Sequence, residues 1–177
     1  MRIVSGDLGG RQIQAPASFT VRPTTDIAKE SLFNILNNIY DFEDVSVLDF
    51  FAGIGSISLE FASRGSKKIV AVERAFKHAD FIKKTAEKFN LDSVRVVKTD
   101  MRDFLKIHNE EYDIIFADPP YDLDWIEKVP ELVMDSKVFS ENSILIVEHP
   151  GSVDYSSVKN YSKTRKYGKV HFSFFEK

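Results

Sequence analysis

The sequence predicts an α/β protein: a mostly parallel, seven-stranded sheet with helices on both faces, closed by a C-terminal antiparallel hairpin and preceded by a short N-terminal β-hairpin and a helix. Three observations lead there. From Val45 onward, short apolar and β-branched runs alternate with segments of helical periodicity, the pattern of strands covered on both faces by crossover helices. Four successive runs end in an acidic residue. The last two runs meet at Tyr167-Gly168 with no helix between them, which fits an antiparallel pair.

Taken in order, residues 1–23 hold extended pieces around RIV and RQI separated by GDLGG, read as a hairpin with a glycine-rich turn. Pro23 biases Arg22 away from helical dihedrals. TTD then offers N-cap candidates for AKESLFNILNNI, where Ala28, Leu32, Ile35 and Ile39 recur at helical spacing. VSVLDFF, KKIVAVE, SVRVVKTD, YDIIFAD and SILIVEH are the parallel strand candidates, and ISLEFASR, FKHADFIKKTAEKF, MRDFLKIH and WIEKVPELVMD are the helices between them. Right-handed crossovers follow from the handedness of such units. The tail YSKTRKYGKVHFSFFEK supplies the closing hairpin. The expected organisation is a single domain over 1–177, with 1–40 as an N-terminal hairpin and helix extension and 41–177 as the core.

Composition narrows the chemistry. The 177 residues are 43% hydrophobic and 29% charged, ordinary for a globular protein, and they include no cysteine. That removes disulfides, thiolate metal sites and every cysteine nucleophile. No segment approaches the roughly 20 apolar residues of a membrane span and no leader pattern opens the chain, so a cytoplasmic protein without a membrane partner is expected. Net charge is −3, which is no general polyanion-binding balance, yet both ends are locally basic: Arg2, Arg11 and Arg22 at one, the lysines from Lys159 to Lys169 at the other. These are candidate phosphate contacts.

In an open α/β sheet, ligands bind beyond the carboxyl ends of the strands. There stand Asp49 followed by FFAGIGS, then Glu73, Asp100 and Asp118. Gly53 and Gly55 permit a tight turn close to a ligand, and Ser56 is a candidate helix cap. A dinucleotide fingerprint would want a third small residue where Ser58 stands, so the loop fits a ligand lacking pyrophosphate. Glu73, 20 residues beyond Gly53, is placed to accept hydrogen bonds from both hydroxyls of a ribose. Asp100 can accept from an adenine amino group and also cap MRDFLKIH.

The end of the fourth strand reads Asp118-Pro119-Pro120-Tyr121. The prolines stiffen the backbone and present a carbonyl without a nearby N–H donor. Carboxylate and carbonyl together can bind both hydrogens of a planar exocyclic amine, freeing its lone pair for attack on an electrophile. Tyr121 offers a face on which the base can stack. His78, His108, His149 and His171 are assigned to surface or structural roles, and Trp125 to the core.

VLDFFAGIGS, VER, KTD and DPPY resemble the class I S-adenosylmethionine-dependent methyltransferases, whose fold is Rossmann-like. Over nearly the full chain, RIVSGDLGGRQI, RPTTD with the helix carrying ESLFNIL, and YGKVHFSFF are similar to the RsmD family of bacterial small-subunit ribosomal RNA guanine-N2 methyltransferases. The resemblance implies that Asp49, Gly53 and Gly55 line the methionine side of the cofactor, with Glu73 on its ribose and Asp100 on its adenine. Phe51, Ala52, Arg74 and Met101 complete the cofactor-binding set. Asp118, Pro119, Pro120 and Tyr121 would form the catalytic set that holds the guanine. It further implies S-adenosylmethionine as cofactor, S-adenosylhomocysteine as product, no metal, a monomer, and small-subunit (16S) RNA within an assembled or assembling 30S subunit as partner. The family pattern carries a basic residue directly after the RPTTD aspartate, where this chain has Ile27, with Lys29 nearby. Two other readings of the same residues are a DNA adenine-N6 methyltransferase, disfavoured by the lack of an added target-recognition domain, and an inactive RNA-binding module. A cytosine-C5 enzyme is excluded, because that chemistry needs a thiolate.

Overall fold

The structure, a computed structural model, describes residues 1–16, 19 and 26–177. Arg22 and the cap candidates Thr24 and Thr25 therefore lie outside the described residues. Seven strands form one sheet: β1 (Ser46–Phe50), β2 (Lys68–Val72), β3 (Val94–Val97), β4 (Ile114–Ala117), β5 (Ile144–His149), β6 (Tyr161–Tyr167) and β7 (Val170–Glu176), in the order β3-β2-β1-β4-β5-β7-β6. The first five are parallel, and β7 runs antiparallel to both β5 and β6. The order reverses between β1 and β4, which opens a crevice beyond their carboxyl ends.

The helices are α1 (Asp26–Asn37), α2 (Ser56–Ser63), α3 (Phe76–Lys88), α4 (Met101–Ile107) and α5 (Val129–Met134). Strand residues alternate between two cores, as the period of 2 requires. Val47, Ile69, Ile114, Phe116 and Ile146 pack with Leu32, Phe33 and Phe61 of α1 and α2. Leu48, Val70, Ile115 and Val147 pack with Phe104 and Val133 of α4 and α5. Ile82 of α3 joins Ala71 on the α1–α2 side. No helix among the described residues is long and apolar enough to cross a membrane.

Four local expectations change. The N-terminal hairpin reduces to a single antiparallel bridge, Arg2 with Gln12: Ile3 and Ile13 still pair across it, with Arg11 O and Met1 O, but Val4, Ser5, Asp7 and Leu8 donate to α2 instead. Helix α1 ends at Asn37, and Ile39 is 54% exposed beyond it. The buried face is instead Ala28, Lys29, Leu32, Phe33 and Leu36. WIEKVPELVMD divides into a 3-10 turn, Ile126–Lys128, and α5, whose first turn accommodates Pro130.

The most distinctive contact of the N-terminal arm is with α2. The buried Glu60 carboxylate accepts from Val4 N at 2.7 Å and Ser5 N at 3.0 Å. It also pairs with Arg64 Nε at 2.9 Å and Lys29 Nζ at 3.3 Å. Burial holds the Lys29 pKa below the usual lysine value, against the opposing pull of Glu60. Four donors converging on one carboxylate account for its having no solvent contact. Lys29 is thus committed to the interior and is not a phosphate contact. Ile27, by contrast, is 74% exposed.

Candidate active site

The residues at the carboxyl ends of β1–β5 enclose a cavity of about 720 Å³, a size suited to a small-molecule ligand. Among the described residues, its walls carry the carboxylates of Glu73, Asp100, Asp118, Asp122, Asp124 and Glu148 against the guanidiniums of Arg74 and Arg102. Such a balance suits a cationic ligand and disfavours a phosphate.

The loop after β1 is held from beneath. Asp49 shares the phase of Val47 along β1, so it points toward α2. It is 1% exposed, and its Oδ2 accepts from Ser58 N at 3.1 Å and Ser58 Oγ at 2.5 Å. Burial pushes the Asp49 carboxyl up to about 7, against the lowering effect of the Ser58 bonds. Asp49, Ala52 and Gly55 do not line the cavity, whereas Phe51 and Gly53 do. Asp49 therefore lies beneath the loop, outside the cavity lining. Ser56 is the first residue of α2 and makes no cap; the N-cap is Gly55 at φ 80°. A side chain there would meet Ile82 at 3.0 Å in addition to the left-handed backbone. Phe51 also has positive φ, 57°, a strained conformation that brings its ring to 6.1 Å from Trp125.

Glu73, directly after β2, is anchored by the same loop. Oε2 accepts from Gly53 N at 2.8 Å and Oε1 from Ala75 N at 2.7 Å. A carboxylate has about four lone-pair sites, so these two bonds fix its orientation and leave acceptor capacity toward the cavity. Asp100 is the N-cap of α4, accepting from Arg102 N at 3.0 Å. Its side chain also accepts from Arg102 Nε at 3.2 Å, and Arg74 stands 4.0 Å away. Arg102 lies over the Trp125 ring at 4.6 Å. Trp125 is consequently part of the cavity wall as well as a core neighbour, which the sequence reading did not assign. His78, read as surface or structural, also lines the cavity, with Nδ1 4.0 Å from Glu73.

Asp118 N bonds Phe50 O at 3.3 Å, carrying the β1–β4 ladder one rung past β4. Pro119, Pro120 and Tyr121 follow along the cavity wall, with Met101 on another side. The Tyr121 hydroxyl donates to Glu148 Oε1 at 3.2 Å.

A family model described as Conserved hypothetical protein 95 matches residues 1–176. The protein belongs to this family, the RsmD family of S-adenosylmethionine-dependent methyltransferases. Among curated RsmD-family relatives, Ribosomal RNA small subunit methyltransferase D of Buchnera aphidicola subsp. Acyrthosiphon pisum is 32% identical over 93% of this chain and 85% of its own length. The protein of that name from Escherichia coli K12 is 30% identical over 84% of this chain and 74% of its own length. Among solved structures, a hypothetical protein from Thermus thermophilus superposes with a TM-score of 0.86 at 28% identity, covering 100% of this chain and 99% of that one. A SAM-dependent methyltransferase from Aquifex aeolicus, at 14% identity and TM-score 0.63 over 81% of this chain and 87% of that one, shares the fold.

A further cavity residue missed by sequence reasoning is Glu148. It ends SILIVEH one position before the strand's last residue, and it is 4% exposed. The rule that directed attention to four strand ends applies equally to the fifth, so the signal was present in the sequence.

Proposed function

We propose that the protein transfers a methyl group from S-adenosylmethionine to the exocyclic N2 of a guanine in small-subunit (16S) ribosomal RNA. The carrying observation is the DPPY segment, Asp118 to Tyr121, on the wall of an acid-lined cavity that also holds Glu73 and Asp100. The names of the relatives support the RNA substrate. We further propose that it acts as a single-domain monomer on the RNA of an assembled or assembling 30S subunit, with 1–40 as an extension of the 41–177 core.

The cavity fits the cofactor. Its excess of carboxylates favours a ligand bearing sulfonium and ammonium charges, and the Gly53 loop gives the ligand backbone access. Glu73 would accept from the ribose hydroxyls and Asp100 from the adenine amine, with Phe51, Gly53, Arg74 and Met101 packed around them. Asp49, Ala52 and Gly55 act one layer further out, by setting the loop. Bound S-adenosylmethionine supplies a methyl group made electrophilic by the positive sulfur.

The protein's part is alignment. Asp118 and the Pro119 carbonyl accept the two amine hydrogens, Pro120 stiffens the turn, and Tyr121 stacks under the ring. Transfer would draw the new N–C electron pair from guanine N2 and leave the C–S pair on the cofactor sulfur. The N2 proton leaves to Asp118 or to water, because the methylated aryl-ammonium is strongly acidic. RNA phosphates would be met by Arg165, Lys166 and Lys169, all exposed around the β6–β7 turn. Arg2 pairs with Asp26 at 3.3 Å and Arg11 lies over Phe89 at 4.9 Å, so both are less available.

The test is mass mapping of small-subunit RNA from cells lacking the gene. One N2-methylguanine is expected to disappear, to return with the wild-type gene and to stay absent with Asp118→Ala. Unchanged RNA, or loss of a methyl group from any other atom, would overturn the proposal.

A further inference from the structure

We infer that Glu148 selects guanine over adenine by accepting the hydrogen of the guanine ring nitrogen N1. This inference rests on the guanine-N2 reading above and assigns to that reaction a specificity residue outside the DPPY segment.

The placement comes from sheet register. In the β4–β5 ladder Ile114 pairs with Ile144 and Ala117 with Val147, so the next rung sets Asp118 beside Glu148. Both continue the phase of Ile114, Phe116, Ile144 and Ile146, which pack on one face. Two carboxylates from adjacent parallel strands thus enter one cavity from the same side. Glu148 is buried, and the Tyr121 hydroxyl donates to its Oε1 at 3.2 Å. That contact sets the carboxylate beside the ring proposed to carry the base. A carboxylate offers about four acceptor sites over its two oxygens, so it can accept from a base in addition to the partners it already holds.

A guanine lying on Tyr121 with its amine between Asp118 and the Pro119 carbonyl has a ring nitrogen on each side of C2, N1 with a hydrogen and N3 with a lone pair, and a carboxylate on the neighbouring strand favours the orientation that turns N1 toward it. In adenine the only ring nitrogen beside the amine-bearing carbon is N1, which carries a lone pair. A buried carboxylate accepts from the first and repels the second. Aspartate with proline carbonyl recognises any exocyclic amine, so discrimination between the two purines must come from an additional group, and Glu148 is the acid next to them. A site built to bond an N–H rejects an analogue lacking it by factors of about 10⁴.

The decisive substrate is 2-aminopurine, which keeps the C2 amine and lacks only the N1 hydrogen and the carbonyl oxygen. It would replace the target guanine in reconstituted small subunits, once wild-type enzyme has identified that nucleotide. Wild-type protein is expected to favour guanine by about 10⁴ in kcat/KM. In Glu148→Gln, whose amide can donate to an unprotonated N1, the preference should fall to about 10-fold or less while affinity for S-adenosylhomocysteine stays unchanged. Glu148→Asp, which keeps the charge but withdraws it by one methylene, provides the same readout if the glutamine variant fails to fold; its preference should fall at least 10-fold. Tyr121→Phe, which keeps the carboxylate, should retain the guanine preference. If the Glu148 variants discriminate as well as wild type, the inference is overturned while the guanine reading stands. Loss of discrimination in Tyr121→Phe alone would move the role to the hydroxyl and overturn it too. Wild-type transfer to adenine in place of guanine would overturn both.

Discussion

Glu73→Ala separates two roles that one carboxylate is expected to fill. In the free protein, Oε2 holds Gly53 N at 2.8 Å and Oε1 holds Ala75 N at 2.7 Å. Removing the side chain leaves two backbone donors without their charged acceptor, at about 1–3 kcal/mol each. The cavity admits water to both, so the lower figure applies, and the loss is about 2 kcal/mol. For a domain of this size that lowers Tm by about 4–8 °C. Cofactor binding loses a further pair of charge-assisted bonds to the ribose hydroxyls, about 2–3 kcal/mol, or about 30- to 150-fold in Kd. Thermal denaturation without ligand reads the first effect, and calorimetric titration with S-adenosylmethionine reads the second. A drop in Tm with unchanged affinity would make Glu73 a tie for the loop alone and refute the ribose assignment. No change in either would refute the reasoning altogether.

Asp49 binds a proton in the native state up to a pH of about 7, whereas the unfolded chain releases it near 3.9. Stability from this group is therefore full below about pH 4, falls as pH rises toward 7 and is level above that, a span of about 4 kcal/mol. Asp49→Asn should gain on wild type across that window in urea titrations, and a constant difference between pH 4 and pH 8 would refute the raised pKa. Tyr121→Phe should keep most methyl transfer while giving up the hydroxyl bond to Glu148, whereas Tyr121→Ala should lose about 1–3 kcal/mol of base positioning; equal inactivity of the two would replace stacking with a hydroxyl role. Lys29→Met leaves the buried Glu60 short of one cation and should cost about 3 kcal/mol, with faster hydrogen exchange at Val4 and Ser5; unaltered exchange would show that the arm does not depend on this pair. Neutralising Arg165, Lys166 and Lys169 should weaken RNA binding and flatten its salt dependence by about 0.7 per lost phosphate contact, leaving cofactor affinity unchanged. An identical salt slope would move the RNA surface elsewhere.

The parallel sheet was legible because each central strand is a continuous apolar run, and the crevice followed from topology alone. Helix α1 was legible as a helix, with Ala28 and Leu32 on its buried face, but Lys29 did not read as part of that face, because its partner Glu60 lies on another helix. The same limit applies to Asp49. Its strand-end position suggested a ligand contact, but its phase with Val47 turns it beneath the loop, and only the three-dimensional position of Ser58 reveals why. Trp125 was read as core from its residue type, yet the guanidinium of Arg102 on its face makes it a wall of the cavity.

The short helix α2 is fixed at both ends by distant parts of the chain. Ser58 in its first turn bonds Asp49, and the Ser63 carbonyl at its last residue accepts from Asp7 N at 2.7 Å. There the arm runs so close that a Cβ on Gly6 would stand 1.8 Å from the Ser63 oxygen. Eight residues make a rod about 12 Å long, too short to persist alone in water. During synthesis the arm emerges before α2 exists, and it must wait about 55 residues for its partner. The glycine loop lies at the other end of that rod, so the arm and the crevice lean on the same eight residues, and a change in how the arm docks reaches the loop through α2 alone.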